Sequence, residues 1–504
     1  MSNFKIAKPR YELTAFNQSP LNQSFKGING VYHPFVMFHD RNGQNYTPQQ
    51  QQQELDRLER MGVQMVRSFF GPSLTWNPET KNHDFESERM QAFYRYCKEL
   101  EKRKISIGLF AGWDIRIFKN IATEGYISTA NLSTGYGIAV QDDLNASCEN
   151  YKNFIKNAVL AFEQHGITNI KCFFGFTECN NCFNTREKWG DKVHTQFEKR
   201  EYDRLISLYS AAICALDDGL KESGLRDRYK IVAPCDNWRA DDGSEPYSVL
   251  VKYTLQNLSD RVDIIGSHRG YDRSNSYHDD WFFEIPQKKL RDCCNVALAA
   301  GKEFWIDEYN VAVNAWTLET FRETQPDPWK GTALGAMAAS VMDMGASTAF
   351  LWSLCDQVFT DSTANNQEFV NGLQICGYLQ SFLETPLPHA SWYACSLITR
   401  YFGTGMVYRC SQGDGVYLAC LQNELGEVSF LVTNSNRTTV PITVSLKKPL
   451  AGQTLYRRLY NPATIQPTEK AELIGISKIF ENVTADFCDE LPSGAVAVYT
   501  TRKD

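Results

Sequence analysis

The chain has 504 residues with 43% hydrophobic and 13% aromatic content, values of a folded protein too long for one ordinary core. A net charge of −7 with no basic run argues against nucleic acid as a partner, because phosphate binding needs clustered Lys and Arg. No apolar stretch approaches the roughly 20 residues of a membrane span, and the opening "MSNFKIAKPRYELTAF" lacks the apolar run of a secretory signal, so a cytoplasmic location away from membranes is expected.

The 15 cysteines are odd in number and scattered, as expected of reduced, mostly buried thiols. Cys179 and Cys182 form a lone C-x-x-C pair, half of a zinc site with no second pair to complete it. No metal and no cofactor is therefore expected.

Short apolar runs alternate with longer helical patterns from residue 27 onward. "GINGVYHPF" (27–35) is the first predicted strand. "TPQQQQQELDRLERMG" follows as a helix, with Thr47 as N-cap, Pro48 in the first turn, and Leu55, Leu58 and Met61 as its apolar stripe. "VQMVRSFFGP" (63–72) is the second strand, followed by a helix that Ser87 caps. "ISIGLFAGWD" (105–114) is the third, and the helix after it closes at Gly166. "IKCFFGFTE" (170–178), "YKIVAPCDNW" (229–238), "VDIIGSHRGYD" (262–272), "KEFWIDEYN" (302–310) and "STAFLWSLCDQ" (347–357) are strands four to eight.

Eight strand–helix units predict a (β/α)₈ barrel over 27–403. The runs are continuous rather than alternating, as strands covered on both faces require. The open doubly wound sheet is the competing fold, but no glycine-rich phosphate turn is present. From 404 to 504 the pattern changes to period two between turn residues, which predicts an antiparallel β-sandwich. Residues 1–26 are expected to pack on that sandwich.

Barrel chemistry sits at the C-terminal ends of the strands. The polar residues there are Arg67; Trp113 and Asp114; Glu178; Asp236, Asn237 and Trp238; His268, Arg269 and Tyr271; Glu308; and Trp352. Two carboxylates stand out: Glu178 ends the fourth strand and Glu308 the seventh. Glycoside hydrolysis needs such a pair, one to protonate the leaving oxygen and one to attack the anomeric carbon. Their environments must then differ, and Arg67 is placed to supply positive charge near Glu308.

With "GFTE" ending at Glu178, "WIDEYN" around Glu308 and "LWS" around Trp352, the chain resembles the clan of retaining (β/α)₈ glycoside hydrolases with catalytic glutamates after strands four and seven. The seventh- and eighth-strand motifs and the trailing sandwich are similar to the β-xylosidase and α-L-iduronidase family. The resemblance implies Glu178 as acid/base, Glu308 as nucleophile and Trp352 as an aromatic surface beneath the reacting sugar. The clan has Asn before its acid/base, and this chain has Thr177. A hydroxyl there reaches less far toward a sugar 2-OH, and Asn180, Asn181 and Asn237 are candidates to take over.

His268 is a partner of substrate or Glu308, or a satisfied core histidine; the sequence leaves both open. Tyr271 and Tyr309 are candidate donors to the nucleophile, with packing as the equal alternative. Trp113 and Trp238 are further candidate sugar platforms, and Asp114 a candidate ligand of sugar hydroxyls. Asp236 is read the same way, with solvation in a loop as the stronger reading. Asp307 is expected to point away from Glu308, because successive strand residues face opposite sides. Long segments at 115–146 and 310–330 would close the mouth into a pocket and favour exo cleavage of β-linked oligosaccharides. The rival reading is a barrel that binds carbohydrate without turning it over. Homo-oligomer formation is left open.

Overall fold

The computed structural model describes residues 11–16, 19–32, 47–71, 74–77, 79–80, 82–110, 144–175, 199–237, 248–268, 271–272, 281–309, 311–315, 328–354, 357–358, 373–375, 387–448 and 450–504. Eight parallel strands close into a barrel: β1 (Ile28–Val31), β2 (Met65–Phe69), β3 (Ser106–Phe110), β4 (Ile170–Phe174), β5 (Lys230–Asn237), β6 (Ile264–His268), β7 (Glu303–Tyr309) and β8 (Thr348–Leu351). They pair in chain order, and β8 returns to β1 through Ala349 opposite Ile28.

Among the described residues eight helices accompany the strands: α1 (Pro48–Met61), α2 (Glu88–Lys102), α3 (Leu144–Gln164), α4 (Lys199–Glu222), α5 (Val249–Asn257), α6 (Trp281–Ala299), α7 (Trp329–Met344) and α8 (Ala390–Tyr401). Their ends follow local chemistry. Thr47 and Gln50 form a reciprocal capping box at α1, and Gly62 ends that helix in the left-handed region at φ 72°. The Ser87 side chain accepts the Met90 N–H at α2. Each cap is worth about 1 kcal/mol. The apolar stripes then bury: Leu55, Leu58 and Met61 of α1, and Met90, Phe93, Tyr96, Cys97 and Leu100 of α2.

Side chains fill the barrel interior. Val31, Phe110, Cys172, Phe174, Val232, Cys235, Ile264, Trp305 and Phe350 form one apolar cluster there, with Phe69 and Trp352 packed against it. Outward-facing strand residues such as Ile231, Ala233, Phe304 and Ile306 join the helices in a separate, larger core.

The second module is two sheets. The larger runs Pro20–Lys26, Thr404–Tyr408, Val416–Gln422, Val428–Asn434, Val496–Thr500, Gln453–Tyr460, Ile476–Val483. The smaller holds Tyr11–Ala15, Val440–Leu446 and Asp486–Leu491. The N-terminal segment thus contributes a strand to each sheet, parallel to Val440–Leu446 and antiparallel to Thr404–Tyr408. Period-two patterning explains the interior: Val440, Ile442, Val444 and Leu446 bury while the residues between them stay half exposed. Leu13, Phe430, Phe487 and Tyr499 share that core.

The sandwich is fused to the barrel through α7, which is buried along nearly its whole length. Gly331 and Gly335 lie one helical turn apart on it. A Cβ at Gly335 would meet Thr433 Oγ1 at 2.5 Å and Val496 at 2.9 Å, and one at Gly331 would meet the Tyr460 ring at 2.7 Å. At these two positions the helix approaches the sheet too closely for any side chain. Gly335→Val should lower stability by about 1–3 kcal/mol through overpacking, measured by denaturant unfolding.

Candidate active site

The site is built around a cation sealed inside the barrel. Arg67 projects inward from β2 with 1% of its side chain exposed. Its guanidinium carbon lies 5.2 Å from the Phe110 ring centre and 4.9 Å from that of Phe174, close enough for cation–π attraction on both sides. A buried charge needs partners. Arg67 Nη1 bonds Glu308, and Nη2 lies 3.7 Å from Asp307. Burial works against the guanidinium's charge, but Glu308 and then Asp307 outweigh it and hold its pKa above the ordinary value.

Adjacent residues on a regular strand cannot both face the same cation. They do so here because β7 is bulged. Ile306 pairs with Ala349 and Tyr309 with Leu351, so β7 advances three residues while β8 advances two. Trp305 faces the barrel interior and Ile306 the helices. Asp307 and Glu308 then both turn inward to Arg67, and Tyr309 turns outward again. This corrects the expectation that Asp307 points away from Glu308.

The same bulge moves Tyr309. Its side chain is buried, and it lines a small cavity with Leu290, Ile306 and Met337 between the barrel and helices α6 and α7. Tyr309 is thus placed away from the barrel interior, not beside Glu308 as a donor.

His268, at the end of β6, is buried against both carboxylates. Its Nδ1 is 3.3 Å from Asp307 Oδ1, and its Nε2 is 3.7 Å from Glu308 Oε2. The exposures separate the two acids: Asp307 is 0% exposed, while Glu308 keeps 15%. Glu308 is therefore the member of the pair that a ligand can reach. Ligand atoms of His268, Asp307 and Glu308 lie within 4.8 Å of one another, a spacing a small cation could share. The guanidinium already sits against both carboxylates and supplies the positive charge there.

A second irregularity shapes the neighbouring strand. Gly266 pairs with Pro234 and Ser267 with Asp236, leaving Cys235 as an extra residue in β5, at φ 55°. Its thiol turns into the barrel beside Asp307, and burial first and that carboxylate second push its pKa well up. Gly266 makes room, since a Cβ there would meet Cys235 Sγ at 3.1 Å. Asp236 does not lie solvated in a loop as expected. It is 1% exposed and accepts hydrogen bonds from Ser248, which caps α5, and from Ser267 at 2.9 Å.

Trp352 follows β8, half-buried, with its ring 5.9 Å from Phe69 in edge-to-face contact. The structure thus gathers Arg67, His268, Glu308 and Trp352 at one end of the barrel. Of Asn237 and Tyr271 only the backbone is described; Tyr271 begins a two-residue strand paired with Val311. That strand, Val311–Ala315, Leu373–Ile375 and Gln357–Val358 make a small sheet from the connections that follow β6, β7 and β8. Trp113, Asp114, Thr177, Glu178, Asn180, Asn181, Trp238 and the Cys179–Cys182 pair lie outside the described residues. Sequence reading missed the inward turn of Asp307 and the aromatic walls around Arg67. The adjacent acids in "WIDEYN" are the only visible sign of the bulge.

The fold has known relatives. A glycoside hydrolase family 30 subfamily 8 xylanase from Clostridium acetobutylicum superposes with a TM-score of 0.57 at 13% identity, over 97% of this chain and 99% of that one. An α-L-arabinofuranosidase from Thermotoga maritima gives 0.60 at 13% identity, over 97% and 99%. An endo-β1,6-glucanase gives 0.59 at 15% identity, over 100% and 96%. At such identities the likeness is one of fold. No family model and no curated protein matches the sequence.

Burial drives the Asp236 carboxyl from an ordinary 3.8 up to about 6, partly offset by the Ser248 and Ser267 hydroxyls. A raised folded-state value means that the native protein binds more protons than the unfolded chain between those two limits. Stability therefore falls as pH rises through that window, by on the order of 3 kcal/mol from this group. Denaturant unfolding should show that slope in the wild type and its loss in Asp236→Asn.

Proposed function

We propose that the protein is a retaining glycoside hydrolase acting on oligosaccharides by double displacement, with Glu308 as nucleophile and Glu178 as acid/base. The observation that carries this reading is the convergence of Arg67, His268 and a bulge-delivered carboxylate pair on one reachable acid, Glu308, at the end of β7. The barrel relatives support it, being named as a xylanase, an arabinofuranosidase and a glucanase. Their substrates differ from one another, and the fold alone does not choose among them.

The chemistry follows from the charges. Arg67 keeps Glu308 ionised, as a nucleophile requires. Glu308 attacks the anomeric carbon while the glycosidic bond breaks, and Glu178 gives its proton to the leaving oxygen. Water then loses a proton to Glu178, attacks the same carbon and releases Glu308. Two inversions retain the anomeric configuration. The half-exposed face of Trp352 offers a surface on which a sugar ring can stack. Exo action on β-linked chains is the finer part of the proposal, resting on the long segments 115–146 and 310–330.

A panel of aryl glycosides tests the reading. Wild type should cleave at least one with retained configuration, followed by NMR of the first-formed sugar. Glu178→Ala should lose about 10²–10⁴-fold in rate, and Glu308→Ala more. Full activity in Glu308→Ala would remove it as nucleophile. Binding of the same sugars without cleavage would favour the rival reading, a carbohydrate-binding barrel in which Thr177 marks lost turnover.

A further inference from the structure

We propose that Asp307 is a positioning residue for the nucleophile: it divides the charge of Arg67 between two carboxylates and fixes the proton of His268 on Nδ1. The inference rests on Glu308 being the nucleophile. It concerns a residue that is fully buried and so cannot touch a sugar itself.

The argument begins with the count of charges. Arg67 from β2 is the one described cation at this point, and two carboxylates share it. Among the described residues the other groups facing the cluster are His268 from β6 and Cys235 and Asp236 from β5. Described residues of β1, β3, β4 and β8 offer Val31, Phe110, Cys172, Phe174 and Phe350, and Trp352 follows β8; all are apolar or uncharged. A guanidinium committed wholly to Glu308 would stabilise its ionised form and blunt its attack. With Asp307 Oδ2 3.7 Å from Nη2, the attraction of the cation is divided. When Glu308 becomes an ester its negative charge disappears, and Asp307 still neutralises Arg67.

The second role is orientation. Asp307 Oδ1 lies 3.3 Å from His268 Nδ1, a position in which the carboxylate accepts a proton held on that nitrogen. The ring so held places Nε2 3.7 Å from Glu308 Oε2, the reachable carboxylate. The β7 bulge is what makes both roles available to one side chain.

Asp307→Asn keeps the size and removes the charge. On an aryl glycoside its kcat should fall on the order of 10²-fold with KM little changed. The acid limb of the kcat/KM profile should move to lower pH, because loss of the like charge and full possession of Arg67 both favour ionised Glu308. A merely structural defect would lower the rate without moving that limb. Nitrogen-resolved NMR of the neutral imidazole gives a readout independent of activity. Wild type should show the Nδ1–H form of His268, and the Nε2–H form should appear in Asp307→Asn. An Nε2–H ring in the wild type overturns the proposal, and that measurement needs no variant to fold. A variant with wild-type kcat and acid limb overturns it as well. If wild type cleaves no glycoside, the glycosidase reading fails, while the tautomer still decides whether Asp307 sets His268.

Discussion

One cation enclosed by the barrel constrains everything around it. Arg67 sits among aromatic rings, away from water, where a guanidinium cannot remain without negative partners. Here that need is met by two carboxylates on the same side of one strand, which regular pleating forbids. The bulge in β7 resolves the conflict with a single extra residue. From it follow the inward turn of Asp307, the partial exposure of Glu308 and the outward turn of Tyr309. The bulge in β5 and the bare Cα of Gly266 create the space beside this arrangement.

The remainder of the molecule holds that end of the barrel in place. Helix α7 precedes β8, the strand that pairs with β7 and leads into Trp352. The same helix is clamped to the sandwich by the Tyr460 hydroxyl on the Pro328 carbonyl and by Thr332 on Gly494. Two glycines allow that close approach. The sandwich is thus joined to the barrel through the helix beside the site, and the N-terminal strands tie the beginning of the chain into both of its sheets.

Much of this was legible in the chain. Thr47 with Gln50 and Ser87 with the apolar run behind it mark helix starts, because an N-cap satisfies backbone donors locally and needs no distant partner. The eight apolar runs mark barrel strands because burial on both faces demands it. The site was legible only in part. Arg67, His268 and Glu308 were singled out as polar ends of apolar runs, and the structure brings these three into contact. Asp307 and Asp236 were misplaced, each for a reason outside local sequence, while Tyr309 takes the packing role that the sequence left open beside the donor role. Period-two alternation misdirected the reading of Asp307, since a bulge depends on what the neighbouring strand does. Asp236 is buried because Ser248, the cap of the next helix, comes to meet it.

Sequence by itself determined the eightfold alternation, the change to period two near residue 404 and the residue types at the strand ends. Those features are short-range: hydrophobic period, capping and turn chemistry act over a few residues. Tertiary structure alone decided which carboxylate is sealed and which is reachable, how one guanidinium is shared between them, and where Tyr309 points. Those outcomes depend on strand register and on burial by partners far away in the chain, such as β2 against β7. A charge takes its character from what surrounds it, and the barrel supplies those surroundings only once it has closed.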